Sequence, residues 1–322
     1  MTIEQPWTEK YRPRHLKDVV GQSKIVERLT QFVEDKSMPH LIFAGPAGTG
    51  KTTSALALTR DILERNMKYN QTFLELNASD ARGIDVIRTM VKDFAKSVVP
   101  SDVPFKILIL DEADNMTSAA QQALRRTMEN YTHTCRMILI CNYSNKIILP
   151  IQSRCAVFRF APLDEDEIKN RIKMIAKEED VEFKEDGLKA LIYVSNGDLR
   201  RAVNYLQACS TVSGAITEEL VYKITGKIHP DEIRQMVNQA VEGKLMKSKE
   251  MLDAFISEYG LSARNLVAQI HSELYYMDTI PEVDKVKIIR ILSQIDYRLS
   301  QGATEKIQLN ALLAKLCLLN TN

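Results

Sequence analysis

The chain has 322 residues, 45% hydrophobic and 26% charged, an ordinary composition for a globular protein and enough length for two or three domains with a buried core. Lys plus Arg number 43 against 42 Asp plus Glu, so at a net charge of +1 nothing global advertises nucleic acid, and any basic surface must be local. Five scattered cysteines with no C-x-x-C pair exclude an obvious zinc module; the polar start and strand-length apolar runs suit a reducing, cytoplasmic setting with no membrane span.

In chain order, the opening stretch Trp7-Thr8-Glu9-Lys10-Tyr11-Arg12-Pro13 is irregular and holds the sole tryptophan. Residues 18–36 have an amphipathic helical pattern, with Ile25, Leu29, Phe32 and Val33 at core spacing. Leu41-Ile42-Phe43-Ala44 reads as a short buried strand. It runs into Gly45-Pro46-Ala47-Gly48-Thr49-Gly50-Lys51-Thr52, and helical spacing begins at Thr53 and extends to residue 63. This matches G-x-x-x-x-G-K-[ST] in the required strand–loop–helix order. A glycine-rich turn lets backbone N–H groups close on phosphate oxygens, and the helix N-terminus adds partial positive charge. Lys51 suits the β/γ-phosphates and the Thr52 hydroxyl suits Mg²⁺. The loop says nucleotide, not what the nucleotide is used for.

A second strand is expected over 72–76, ending in Asn77-Ala78-Ser79-Asp80, and then a helix from about 83 to 98. The strand at 106–110 leads into Asp111-Glu112-Ala113-Asp114, followed by a helix over 118–130, a strand over 136–141 ending at Asn142-Tyr143, and a short strand near 157–160. This alternation reads as a parallel sheet wrapped by helices. Past Pro162 the patterns are helical, broken by Ser195-Asn196-Gly197-Asp198 and Ser213-Gly214, and from His229 onward they are helical again. The expected architecture is α/β: a P-loop parallel-sheet domain over 1–163, a small helical domain over 164–228 and an all-α domain over 229–322. In the last, Ile288, Leu292, Ile295 and Leu299 form one stripe. Ile289, Ile291, Leu312, Leu318 and Leu319 are surplus to the stripes and are expected at a subunit interface rather than in the core.

Four further features carry chemistry. A strand ending in Asp111-Glu112 about 60 residues after the loop places one carboxylate for the metal shell and one for the attacking water. Asn142, at the next strand end, is either a γ-phosphate contact or a turn residue. Arg154 in Ser153-Arg154-Cys155 is a residue type that supplies charge to phosphoryl transfer, although its spacing alone favours a surface salt bridge. Arg88, Lys92 and Lys96 recur at i, i+4 and i+8 with Arg82 before them, opposite Ile87, Val91 and Phe94; the stripe is either a solvated face or a phosphate-tracking surface.

Together these residues resemble the clamp-loader branch of the AAA+ ATPases, in particular archaeal replication factor C small subunits, over essentially the whole chain. The resemblance rests on Glu9-Lys10-Tyr11-Arg12-Pro13, the phosphate loop, Leu76-Asn77-Ala78-Ser79-Asp80, Asp111-Glu112-Ala113-Asp114, Ala123-Leu124-Arg125-Arg126-Thr127-Met128-Glu129, Gln152-Ser153-Arg154-Cys155 and Gly197-Asp198-Leu199-Arg200. It implies that Arg154 reaches the ATP of an adjacent subunit, that Asn142 is the first sensor, and that Arg200 in a helical lid contacts γ-phosphate. Tyr11, Arg12 and Val20 would line the adenine side. Residues 229–322 would be a collar joining five subunits, a large subunit with further copies of this chain. The basic stripe would track primer–template DNA, and residues 95–103 would press on the PCNA sliding clamp. The chain departs from the family at Pro46-Ala47, where two prolines are common; this position supplies backbone contacts, so little effect on binding is expected. The implied ligands are ATP and Mg²⁺, and the implied setting is nucleoid-associated. The competing reading is a DNA-translocating motor of the branch-migration type, which would need a winged domain where this tail is helical. A bacterial-type clamp loader would carry four zinc-binding cysteines soon after the loop, and residues 53–77 have none. A non-enzymatic scaffold would need a degraded loop.

Overall fold

Neighbouring residues along each strand point into different cores. In the computed structural model, Leu41, Phe43, Ile107, Ile109, Ile138 and Ile140 enter one apolar cluster, and Ile42, Ala44, Leu108, Leu110, Met137 and Leu139 enter another. A sheet covered on both faces needs uninterrupted apolar strands, which accounts for runs such as Ile107-Leu108-Ile109-Leu110. The structure describes residues 5–64, 68, 71–79, 87–212 and 214–321, with the backbone alone described at 87, 88, 258, 320 and 321.

The strands are β1 (His40–Ala44), β2 (Phe73–Asn77), β3 (Lys106–Asp111), β4 (Cys135–Cys141) and β5 (Cys155–Arg159). All pairings are parallel, in the order β2-β3-β4-β1-β5. The parallel register brings the ends of β1, β3 and β4 to one edge, where open α/β sheets bind ligands. Helices Ser23–Glu34, Lys51–Leu63 and Ser118–Asn130 belong to this unit, as do Glu165–Glu178 and Leu199–Ser210. The unit comprises Met1–Lys184 with Leu191–Ala215.

Three local expectations are corrected. The helix expected from residue 18 starts at Ser23, because Gly21 (φ +65°) and Gln22 (φ +57°) are left-handed and interrupt it. The final strand starts earlier than expected and ends at Arg159. The helix expected over 83–98 is, in its described part, a π-helical turn at Ile87–Val91 followed by α-helix at Lys92–Lys96. It stops there because Ser97 is extended and the buried Lys106 ammonium takes the last-turn carbonyls, donating to the Phe94 and Ser97 oxygens and to Ser97 Oγ at 2.7 Å. Lys92 and Lys96 are exposed and Val91, Phe94 and Ala95 buried, as the stripe requires. Arg82 and the side chain of Arg88 lie outside the described residues.

The second unit comprises Glu185–Ala190 with Ile216–Asn322. Helices Pro230–Val241, Leu245–Tyr259, Ala263–Leu274, Glu282–Ser300 and Glu305–Cys317 close round one core, in which Ile288, Leu292, Ile295 and Leu299 form the expected stripe. The surplus residues divide against the interface expectation. Leu312 is fully in this core and Ile289, Ile291 and Leu319 pack on it, because in a multi-helix unit a helix meets neighbours on more than one side; only Leu318 is exposed. Among the described residues no helix is long and apolar enough to cross a membrane.

His40 gives a pH signature. Its Nδ1 accepts from the Met137 amide at 3.0 Å, and burial first, then the Arg136 guanidinium, bring its pKa down to about 4. The unfolded imidazole takes a proton near its ordinary 6.5 and the folded one does not, so stability falls as pH drops through that window and the loss is complete below about 4. The loss is expected to be at most about 3 kcal/mol. Denaturant unfolding at pH 7 and 4.5 should show a smaller pH-dependent loss in His40→Asn than in the parent; an equal loss contradicts the assignment.

Candidate nucleotide site

The phosphate loop is packed closely at Gly45 and again at Gly48. The Gly45 amide donates to the Cys141 carbonyl at 3.3 Å, and a side chain at Gly45 would meet the Phe160 carbonyl oxygen at 2.3 Å. Gly48 (φ +69°) is packed so closely that a Cβ there would lie 1.7 Å from Asp198 Oδ1, and its carbonyl accepts from the Leu199 amide at 3.2 Å. Asp198 caps the helix Leu199–Ser210 by accepting the Arg201 amide at 2.9 Å. The loop therefore touches the first turn of a helix about 150 residues away in sequence.

Lys51 opens the helix Lys51–Leu63 and is only 8% exposed. Its ammonium donates to the carbonyls of Gly45 (2.7 Å) and Pro46 (2.6 Å) and to Asn142 Oδ1 (3.1 Å). Burial holds its pKa below the ordinary lysine range, with Asp111 acting in the opposite direction. Thr52 Oγ1 donates to Asp111 Oδ2 at 2.8 Å, and Asp111 Oδ1 accepts the Glu112 amide at 2.8 Å. A hydroxyl and a carboxylate are the hard oxygen donors that Mg²⁺ prefers, so this pair fits that ion in kind. Glu112 turns out of β3 with a left-handed backbone (φ +52°), and its Oε2 accepts Asn115 Nδ2 at 3.2 Å. Asp114 Oδ2 accepts the amides of Asn142 (3.2 Å) and Tyr143 (3.1 Å), tying the end of β4 to the turn after β3.

Gly48, Lys51, Thr52, Asp111, Glu112 and Asn142 border a cavity of about 260 Å³. Its phosphate end is walled by Ala47, Gly48, Thr49, Gly50, Lys51, Thr52 and Thr53, facing Asp111, Glu112 and Asn142. Tyr11, Arg12, Val19 and Val20 line another part, and Arg200 reaches it from the helix Leu199–Ser210, whereas Arg201 is not in its wall. The opening segment is clipped in place: the Tyr11 hydroxyl and Lys10 ammonium both bond Glu179, and the Trp7 amide donates to Gln207 Oε1 at 3.0 Å. Gly45 and Pro46 contribute carbonyls to Lys51 but no wall. Arg154 lies outside the cavity, ion-paired with Glu129.

Three participants escaped the sequence reading. Arg171 lines the cavity and donates to the Tyr11 carbonyl; its signal is a charge between Ile168 and Ile175 on the buried stripe of the helix Glu165–Glu178. Asp114 and Asp198 act through backbone amides; an Asp directly before a helical pattern signals the cap at Asp198, but no spacing rule exposes its contact with Gly48 or the bonds of Asp114.

Three family models match in succession: an ATPase family associated with various cellular activities over 41–163, an RCF1/5-like AAA+ ATPase lid domain over 170–211, and a replication factor C C-terminal domain over 228–315. Among similar proteins, the replication factor C small subunit of Sulfurisphaera tokodaii is 53% identical over 98% of this chain and 97% of its own length. That of Methanococcus maripaludis is 49% identical over 98% and 100%. Among solved structures, the Holliday junction branch migration motor RuvB of Thermotoga maritima superposes with a TM-score of 0.57 at 18% identity, covering 80% of this chain and 91% of that one, a likeness of fold alone.

The Gly48 contact yields a paired prediction. Gly48→Ala meets a left-handed backbone and displaces the Asp198 cap, costing about 2–3 kcal/mol, or roughly 5–10 °C in melting midpoint. Gly50→Ala meets only the backbone term, since nothing lies within 4 Å of its Cβ position. Thermal melts should rank Gly48→Ala below Gly50→Ala; equal midpoints contradict the loop–helix contact.

Proposed function

The chain belongs to the replication factor C small-subunit family, and from that premise we propose how its residues divide the work of a clamp-loader ATPase. Clamp-loader function and ATPase activity follow from the family, as does work in a complex with other replication factor C subunits. The finer reading is a pentamer of one large subunit and further copies of this chain, cytoplasmic and nucleoid-associated, that opens the PCNA sliding clamp and leaves it on primer–template DNA. Its divisions are a nucleotide-binding domain over 1–163, a lid over 164–228 and a collar over 229–322.

The observation that carries the site assignment is the Lys51 ammonium held by two carbonyls of its own loop and by Asn142. Three oxygen acceptors hold it where a β/γ-phosphate would draw on the same donors, so phosphate exchanges with the carbonyls at little cost in desolvation. The loop amides of Gly48, Gly50 and Lys51 take the phosphate oxygens, and Tyr11, Arg12 and Val20 hold the base side. Thr52 and Asp111 would hold Mg²⁺, which would supply charge neutralisation to the phosphates. Glu112 orients the attacking water, and Asn142, bonded to Lys51, registers the γ-phosphate. Arg200 reads the same group from the lid and Arg154 reads it from the neighbouring subunit. Lys92 and Lys96, with Arg82 and Arg88, follow DNA phosphates. Nucleotide state thereby biases a spiral assembly between clamp-holding and clamp-releasing forms. The motor reading is not favoured: the family match at 228–315 is to a replication factor C domain, and no strand occurs there among the described residues.

The test is ATP binding and DNA-stimulated turnover in the assembled complex. Lys51→Ala should abolish ATP binding and clamp loading. Arg154→Ala should leave ATP binding in place while lowering turnover by a factor of about 10³. Undiminished loading by the first, or undiminished turnover by the second, overturns the corresponding role.

A further inference from the structure

Arg154 does not point into its own subunit's cavity, and it is not free either. Its Nη2 lies 2.5 Å from Glu129 Oε1, and its Nη1 donates to the Pro150 carbonyl at 2.7 Å and to Ser153 Oγ at 3.3 Å. Glu129, in the last turn of the helix Ser118–Asn130, accepts on that same Oε1 from Arg125 Nε at 3.0 Å. The three side chains are between 32% and 38% exposed, so the cluster sits where a neighbouring subunit could displace water from it. The hydrogen bond from Arg125 first, and Arg154 with it, hold the Glu129 carboxyl below its usual pKa range.

Two guanidiniums share the one Glu129 carboxylate, so the cluster keeps a net positive charge, but the Arg154 N–H groups aimed at Glu129, Pro150 and Ser153 cannot at the same time be aimed at a neighbour's phosphate. Acting on a neighbour's phosphate therefore requires Arg154 to exchange one anionic partner for another. The arrangement permits that exchange: when Arg154 leaves, Arg125 remains on Glu129, so the carboxylate is not left uncompensated. Exposed ion pairs are weak, so Glu129 biases the finger rather than locking it.

We propose that Glu129 is a positioning residue that holds the Arg154 guanidinium on its own subunit until the phosphate of an engaged neighbour displaces it, and so restrains hydrolysis by complexes not yet on DNA. The proposal rests on the reading of Arg154 as a finger acting in trans. DNA and clamp, by closing the subunit interface, bring the phosphate near enough to win the exchange. Without them Glu129 keeps the larger share of Arg154.

The test is ATP turnover by the assembled complex with and without primed DNA and clamp. Glu129→Gln should raise the DNA-free rate about two- to fivefold, the range an exposed pair can supply, and leave the stimulated rate within about twofold of the parent. The stimulation ratio then shrinks. Glu129→Asp, which keeps the charge, should restore the low DNA-free rate. In an Arg154→Ala background, Glu129→Gln should change neither rate. An unchanged or lowered DNA-free rate in Glu129→Gln overturns the restraint, and so does an increase that persists without Arg154, since it would then act elsewhere. If Arg154→Ala alone leaves turnover intact, it is the finger reading that fails.

Discussion

A lysine ammonium buried at a strand–helix junction must have oxygen partners, and the architecture of the site follows from how Lys51 obtains them. Two come from its own loop and one from Asn142, which follows β4. Asn142 and Tyr143 are in turn fixed by Asp114, which follows β3, while Asp111 on β3 takes the Thr52 hydroxyl. Three strand ends are thus joined through one buried cation and two carboxylates. Removing Asp111 would leave the half-buried Thr52 hydroxyl and Glu112 amide without their acceptor, whereas removing Asp114 would release the exposed chain at the end of β4. The polar groups at these three strand ends are in this sense balanced against one another.

The same loop is coupled outward through Gly48, whose lack of a side chain admits Asp198 and whose carbonyl takes the Leu199 amide. Asp198 caps the helix that carries Arg200 into the cavity. The loop is therefore in direct contact with the seat of that helix. On the opposite side, Arg171 and Glu179 hold the opening segment by the Tyr11 carbonyl and hydroxyl. Loop, helix and opening segment share one cavity wall.

Much of this was legible in the sequence where local order carries the chemistry. Strand, glycine loop and helix in succession locate Lys51 and Thr52, and an apolar strand ending in Asp111-Glu112 locates the acids. Parallel pairing then brings those separate motifs to one edge. What was not legible depends on contacts between distant side chains and backbone groups. Asp198 against Gly48, Asp114 on the Asn142 amide and Glu129 on Arg154 leave no periodic trace. The surplus leucines and isoleucines of the last helices misled for a related reason. Periodicity identifies the main buried face of a helix but not whether a second face meets another helix, and Leu312 proved to be core. The basic stripe keeps its register through Lys92 and Lys96 despite a π-helical turn that propensity does not anticipate.

The central claim is that the hydrolytic site is shared, with the cradle on one subunit and Arg154 on the next. It is tested most directly by mixing two defective chains in one complex, one carrying Lys51→Ala and the other Arg154→Ala. Each alone should give a complex with negligible DNA-stimulated hydrolysis at small-subunit sites. Mixed, the intact Arg154 of a Lys51→Ala chain can face the intact cradle of an Arg154→Ala chain, and hydrolysis should reappear in proportion to such junctions. Mixtures no more active than the two separate complexes would contradict a shared site.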